Sequence, residues 1–393
     1  MKFPSLIQTS SFLSSVSHGL QGCDIPGVKQ YTILFTRSPP TIDGNLDDDA
    51  WQKAPWTEDF GDILGPLSGL VSSDTQTKTK MLWDDKYLYV GARLSDPFIF
   101  AKTDRAHGNE ALVDNTFEIF LDTDRTNHNY KRIQINPLGV SQFLEYGKPP
   151  ADGGQPMRWD IGPQFRSQIY NSTLVGLSSD PSTMITSLIN PSNFWTVEWA
   201  IPIEKFRRNL RKRGDGQSSE YSNFQFMRSG WPPENVSAHK KSSKKSKKKE
   251  KRYLLSLLDN LLPTSPFKST WTPQYTEDAH NPEWWGQVEF SREEVATPPK
   301  PDPQYLTRFV LMQIYRAQQE HFREQGRYTA NLDELKITGP KLGACTAIPE
   351  VMLSESGLRF EAVLPFQNQP TPATSLPTCR VPDESFGPAP GIP

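Results

Sequence analysis

The sequence predicts a mainly β protein, an antiparallel β-sandwich with a small helical extension at its C-terminal end. Three observations carry this. From Pro39 to about Ser291 short runs alternate apolar and polar residues, clusters of Gly, Pro, Asn and Asp separate them, and no amphipathic helix is interposed. The low hydrophobic content of 35% and the 35 prolines among 393 residues agree with short strands and much loop.

The clearest element is "TKTKMLWDDKYLYVGARLSDP", beginning at Thr77. Leu88, Val90, Ala92 and Leu94 alternate with Tyr87, Tyr89, Gly91 and Arg93, the period of a strand with one buried face. Asp84, Asp85 and Lys86 form the turn of a hairpin, and Thr77, Thr79, Met81 and Trp83 share one face of the strand before it. Further strands follow in "NTFEIFLDTD", "YKRIQINPLG", "FWTVEWAIPI", "NFQFMRSGW" and "WGQVEFS". In the first two of these five, Phe117, Ile119, Leu121, Ile133 and Ile135 face inward. Glu118, Phe120, Arg132, Gln134 and Asn136 then share the opposite face if the two strands pair.

The expected organisation is a poorly ordered leader over residues 1–36, the sandwich over 37–295, a proline-rich linker over 296–304, and a helical segment with a Pro-rich tail over 305–393. Within the sandwich, residues 237–268 read as a disordered basic insert, because the lysine-dense run "HKKSSKKSKKKEKR" from His239 to Arg252 cannot bury a core. The helix is "YLTRFVLMQIYRAQQEHFREQG", with Asp302 as its cap, Pro303 at its first position and Gly326 as its stop. A second short helix is expected at "RYTANLDEL".

The formal net charge of −2 gives no reason to invoke nucleic acid, and no run reaches transmembrane length. Lys2 and "FLSSVSHGL" have the outline of a secretory signal with a short apolar run broken by serines and His18, which tilts the compartment outward without settling it. Acceptor sequons stand at Asn171 and Asn235. Of three cysteines, Cys345 and Cys379 are available for one disulfide, leaving Cys23 odd. Oligomeric state is not legible.

Three chemistries fit the residues. A glycoside hydrolase needs two flanking carboxylates, for which Glu118, Asp122, Asp124 and Glu198 are the candidates. A calcium loop is offered by Asp122, Asp124 and Asn127 in "DTDRTNHN", although an Asx-rich turn explains the same residues. A sugar-binding face needs acceptors and donors beside an aromatic ring, and the polar face around Glu118 and Gln134 supplies them. The 10 tryptophans exceed what packing alone suggests. A haem or redox sandwich is a further alternative, with Met81, His107 and His128 as axial ligands.

The strings "PPTIDGNLDDDAWQKAPWTEDF", "MLWDDKYLYVGARLSDP", "VDNTFEIFLDTD", "WTVEWAIPIEKF" and "NPEWWGQVEFS" occur in an order that resembles family 9 carbohydrate-binding modules, and in particular the family 9-like proteins of many bacteria. The resemblance runs from about Pro39 to Ser291, and the tail also resembles the segment that follows the module in those proteins. It implies a DOMON-like, immunoglobulin-like jelly roll that holds the end of a polysaccharide such as xylan or cellulose between aromatic rings, with calcium in its loops and no catalysis of its own. Glu118 matches the family's sugar-binding glutamate, Gln134 stands where the family has a sugar-binding arginine, and Trp271 in "STWTPQ" matches one sandwiching tryptophan. The second ring's position falls at about Leu112, which leaves Trp231 or Trp159 to substitute. Arg228 and Asn115 complete the expected sugar-binding set. The hairpin residue Trp83 is expected in the framework, as a core plug.

Overall fold

In a computed structural model the described residues are 27–66, 68, 73–101, 114–171, 185–186, 192–206, 221–230, 267–293, 295, 298–299, 301–337, 346–365 and 378–382. Val28–Asp302 forms one compact unit and Pro303–Pro393 belongs to a second.

The first unit is built on strands β1 (Gln30–Phe35), β2 (Gly61–Asp62), β3 (Thr77–Trp83), β4 (Tyr87–Ser95), β5 (Phe100–Ala101), β6 (Thr116–Asp122), β7 (Tyr130–Ile135), β8 (Ser141–Tyr146), β9 (Pro156–Arg158), β10 (Arg166–Asn171), β11 (Ile185–Thr186), β12 (Phe194–Pro202), β13 (Tyr221–Gly230), β14 (Phe267–Thr270) and β15 (Gly286–Ser291). Two short helices, α1 (Asp49–Lys53) and α2 (Ile203–Phe206), interrupt them. One sheet of 13 strands runs β10-β12-β4-β3-β1-β15-β13-β6-β7-β8-β9, with β14 and β2 branching from β13. The sheet curls on itself: Phe117 of β6 and Trp199 of β12 are far apart in strand order, yet their rings are 5.2 Å apart.

The curl makes one core from the alternating residues of nearly every strand. Leu88, Val90, Ala92 and Leu94 point into it with Trp195, Val197, Trp199 and Ile201, against Phe117, Ile119, Leu121, Phe224 and Phe226. Trp83 is a core residue as expected, edge-on to Phe35 and Phe290 at 5.3 and 5.4 Å, with its indole N–H donated to the Ser291 carbonyl. The Asp84 turn also stands: its carboxylate accepts the backbone N–H groups of Lys86 and Tyr87.

The outer face of β1, β3, β4 and β12 is covered by α1, whose Trp51 packs on Leu34, Leu82, Tyr89 and Ala200. Glu198 anchors that layer: it accepts from Trp51 Nε1 at 2.6 Å and from the N–H groups of Asp43 and Gly44 at 2.9 and 2.6 Å. Burial pushes its carboxyl up to about 7 against those three donors. Gly44 sits at φ +94°, and a Cβ there would lie 2.8 Å from the Tyr170 nitrogen, so glycine is required.

Three expectations need correction. The sandwich begins at Gln30, inside the segment read as leader, because "QYTILF" supplies the central strand between β15 and β3. That strand pairs parallel to both neighbours, so the sheet is mixed rather than wholly antiparallel. Asp302 does not cap the helix; it is buried and bonded to Arg125 Nη1 at 2.8 Å. The helix α3 (Tyr305–Gln325) starts after Gln304 and ends on Gly326 at φ +70°.

In the second unit α3 shares an apolar cluster with a three-stranded sheet, β16 (Glu350–Leu353), β17 (Phe360–Pro365) and β18 (Thr378–Pro382). The tail is thus part β where coil was expected, since a turn with Gly357 at φ +68° closes the first hairpin. "ANLDEL" forms a single 3-10 turn over Leu332–Glu334 with Asn331 as its cap, rather than a helix. Cys23, Cys345, Asn235 and residues 231–266 of the lysine-rich region lie outside the described residues, while Phe267 and Lys268 open β14. Among the described residues no helix is long and apolar enough to cross a membrane.

Candidate functional site

On the antiparallel pair β6–β7, Glu118 lies directly opposite Gln134 and Phe120 opposite Arg132. Their neighbours Phe117, Ile119 and Leu121 fill the core, so strand alternation turns these four to the other face. There they line a groove of about 240 Å³. Strand β13 adds Met227 and Ser229, β14 adds Lys268, Asp114 and Thr116 stand at the start of β6, and the loop after β14 adds Glu277, Asp278, Ala279 and His280.

The floor is electrostatically ordered. Arg132 Nε donates to Glu118 Oε2 at 2.7 Å, while Glu118 Oε1 is 3.3 Å from both Thr116 Oγ1 and Gln134 Nε2. Burial alone pulls the Arg132 guanidinium down, but Glu118 and a hydrogen bond with Tyr146 outweigh it and hold the group above its ordinary value. Asn136 Nδ2 donates to Asp114 at 2.9 Å. Lys268 Nζ donates to the Glu277 carbonyl at 2.7 Å.

Phe120 also belongs to an aromatic cluster with Tyr130, Tyr146 and Trp285 on the same face. His280 joins it, edge-on to Phe120 at 5.2 Å and bonded through Nδ1 to the Tyr130 hydroxyl at 2.7 Å. Trp285 Nε1 donates to the Ala279 carbonyl at 2.9 Å, tying the groove's loop wall to β15. On that loop Tyr275 is 46% exposed and holds φ +58°, and its ring is edge-on to Trp284 at 5.0 Å. Two N–H groups, from Gln274 and Tyr275, bond the one Ile63 carbonyl and stabilise this left-handed backbone.

Of the residues expected to touch sugar, Glu118 and Gln134 are brought together in this groove, with Phe120 and Arg132 beside them. Three others are not there. Trp271 is 1% exposed and fills the core beside Phe226, in a slot left by Gly286. Arg228 is fully buried: β13 sends Phe224, Phe226 and Arg228 inward and Met227 and Ser229 outward. Asn115 shares the inward parity of Phe117. Arg228 and Asn115 meet on Asp96, at 2.9 and 2.7 Å, where Trp195 Nε1 also donates. Burial raises the Asp96 carboxyl against the pull of Arg228. This network ties β4, β6, β12 and β13 together inside the sandwich. Trp159 is also a core residue, while Trp231 and Leu112 lie outside the described residues.

The loop with Asp122, Asp124 and Asn127 is organised by its own backbone. Asp122 Oδ2 accepts the Asn127 N–H at 2.9 Å, and Asp124 Oδ1 accepts from both the backbone and the hydroxyl of Thr126. Among the described residues no group of three or more His, Cys, Asp or Glu is arranged to hold a metal ion. One oxygen of each carboxylate is thus held by the loop's own donors, in an Asx-rich turn with Arg125, Asn127 and Asn129 at positive φ. As for the haem alternative, Met81 is fully buried in the core, His128 Nδ1 lies 2.9 Å from the Thr126 carbonyl of its own turn, and His107 lies outside the described residues.

Residues 42–136 match the family model described as carbohydrate family 9 binding domain-like. This segment is similar to family 9-like carbohydrate-binding domains. It contains β6 and β7, and with them Glu118, Arg132 and Gln134. Over 173 residues the chain is 33% identical to endo-1,4-beta-xylanase C of Paenibacillus barcinonensis, which is 44% of this chain but 12% of that enzyme. Among solved structures, a family 9 module from Caldicellulosiruptor kristjanssonii in complex with cellotriose is similar at 17% identity, with 70% of this chain and all of that one covered and a TM-score of 0.38. A putative carbohydrate-binding protein from Bacteroides uniformis is similar at 12% identity, with 67% and 100% covered and a TM-score of 0.44.

The groove also holds residues that the sequence motifs do not single out: Asp114, Met227, Ser229, Lys268, Glu277, Asp278 and His280. Strand parity in "NFQFMRSGW" is a usable signal for Met227 and Ser229. No local pattern marks the loop residues 277–280, which reach the groove by tertiary folding.

Proposed function

We propose that the groove binds carbohydrate without transforming it. The observation that carries this is the row Glu118, Arg132 and Gln134, a carboxylate, a guanidinium and an amide held side by side next to an apolar strip of Phe120 and Met227. Sugar hydroxyls both donate and accept, and such a row meets both needs, while the apolar strip suits the C–H face of a ring. The family 9-like match over residues 42–136 supports the same reading. A groove of about 240 Å³ is small beside typical ligand clefts of about 300–1,000 Å³, which favours one terminal sugar unit over a long chain. Catalysis is disfavoured because Glu118, the central carboxyl group, has one oxygen engaged by Arg132 and the other near Thr116 and Gln134.

The xylanase relative makes β-1,4-linked xylan fragments the first ligands to test, with cellulose fragments beside them. Calorimetric titration of the full chain with xylobiose, cellobiose and glucose is expected to give saturable heat that Glu118→Gln weakens. Steady release of reducing ends from xylan, abolished by the same substitution, would replace this reading with a hydrolase.

A further inference from the structure

Tyr130 is fully buried, and its hydroxyl lies 2.7 Å from His280 Nδ1. Among the described residues the hydroxyl makes no other hydrogen bond. A buried phenol with one polar neighbour donates to it, because an unmade buried donor costs about 1–3 kcal/mol. Nδ1 therefore accepts, and the proton of the neutral ring resides on Nε2. Burial keeps the ring neutral, pulling its pKa down to about 4.

The ring is fixed on its other sides. Phe120 meets it edge-on at 5.2 Å, Tyr146 lies at 4.6 Å, and the His280 backbone N–H donates to Asp278 at 2.9 Å. Among the described residues nothing bonds Nε2, although His280 lines the groove. Other groove donors are turned to protein acceptors: Arg132 Nε and Gln134 Nε2 to Glu118, and Lys268 Nζ to the Glu277 carbonyl. A sugar ring oxygen or glycosidic oxygen offers only lone pairs, so it needs a donor that is not already engaged.

We propose that His280 reads the ligand by presenting a neutral Nε2–H to a sugar oxygen, and that Tyr130 is the positioning residue that keeps the proton there. This rests on the carbohydrate reading of the same groove.

The test uses the full chain labelled with ¹⁵N-histidine, with cellobiose and xylobiose as probes. Long-range ¹H–¹⁵N spectra of the free protein are expected to show His280 as the Nε2–H tautomer, and Tyr130→Phe to give a mixture of tautomers. Saturation with disaccharide should move the Nε2 resonance. His280→Leu should weaken binding roughly 10-fold, the loss of one hydrogen bond, and His280→Gln, which keeps an N–H near the Nε2 position, should recover part of it. An Nδ1–H tautomer in the free protein, or a bound sugar that leaves Nε2 unmoved, overturns the proposal. If neither sugar binds the wild-type chain, the carbohydrate reading has failed and the ligand role of His280 falls with it. The tautomer of the free protein then still decides the role of Tyr130.

Discussion

Arg132 Nε lies 2.7 Å from Glu118 Oε2, across neighbouring strands and next to a groove that both residues line. Glu118 is 2% exposed, so its charge depends on that partner. Arg132→Ala is expected to destabilise the fold by about 2–4 kcal/mol, because it strands a buried carboxylate. Glu118→Gln keeps the shape and is expected to weaken sugar binding roughly 10–100-fold, the worth of a hydrogen bond to a charged group. Denaturant unfolding and calorimetry on the two variants separate these effects.

The buried Arg228–Asp96 pair makes a contrasting prediction. Asp96→Asn leaves Arg228 uncompensated in the core, where the pair is closed to solvent. A loss of about 3–5 kcal/mol is expected in urea unfolding. The folded fraction should bind sugar as the wild type does, since neither residue lines the groove.

Gly286 and Trp271 interlock. A Cβ at residue 286 would stand 2.2 Å from the Trp271 ring, so Gly286→Ala must displace that ring. A destabilisation of about 1–3 kcal/mol is expected, partly relieved by adding Trp271→Phe, whose smaller ring makes room. Additive losses in the double-mutant cycle would show that the two sites are not in contact.

His280 sets an acid limit on stability. Burial lowers it from the usual 6.5 to about 4, with Asp278 opposing and Arg132 reinforcing the shift. The unfolded chain therefore takes up the proton first. Stability from the neutral ring is full above pH 6.5 and is lost as pH falls through 4. The gap is worth about 3 kcal/mol, measurable as the difference in pH-dependent unfolding between wild type and His280→Gln.

Chelation tests the Asp122 loop. Its carboxylates already accept from Asn127 and Thr126, so excess EGTA is expected to leave the thermal midpoint unchanged. A fall of several degrees, restored by calcium, would assign an ion to Asp122, Asp124 and Asn127.

The sequence by itself determined which side of each strand a residue faces, because alternation is a local property of the pleated backbone. That sufficed to send Leu88 and Val90 to the core, and to set Glu118, Phe120, Arg132 and Gln134 on one surface, whereas Trp83 was placed in the core by the family resemblance. The motif order added the resemblance to family 9 modules. Tertiary structure alone decided what that surface meets. Arg228 and Trp271 look like sugar ligands in one dimension, yet Asp96 and Gly286, distant in the chain, bury them. His280 carries no local sign of its role and reaches the groove only because Trp285, beside β15, ties its loop and Tyr130 of β7 holds its ring. Parity follows from one residue and its neighbours, whereas burial and proton placement depend on partners the chain supplies from far away.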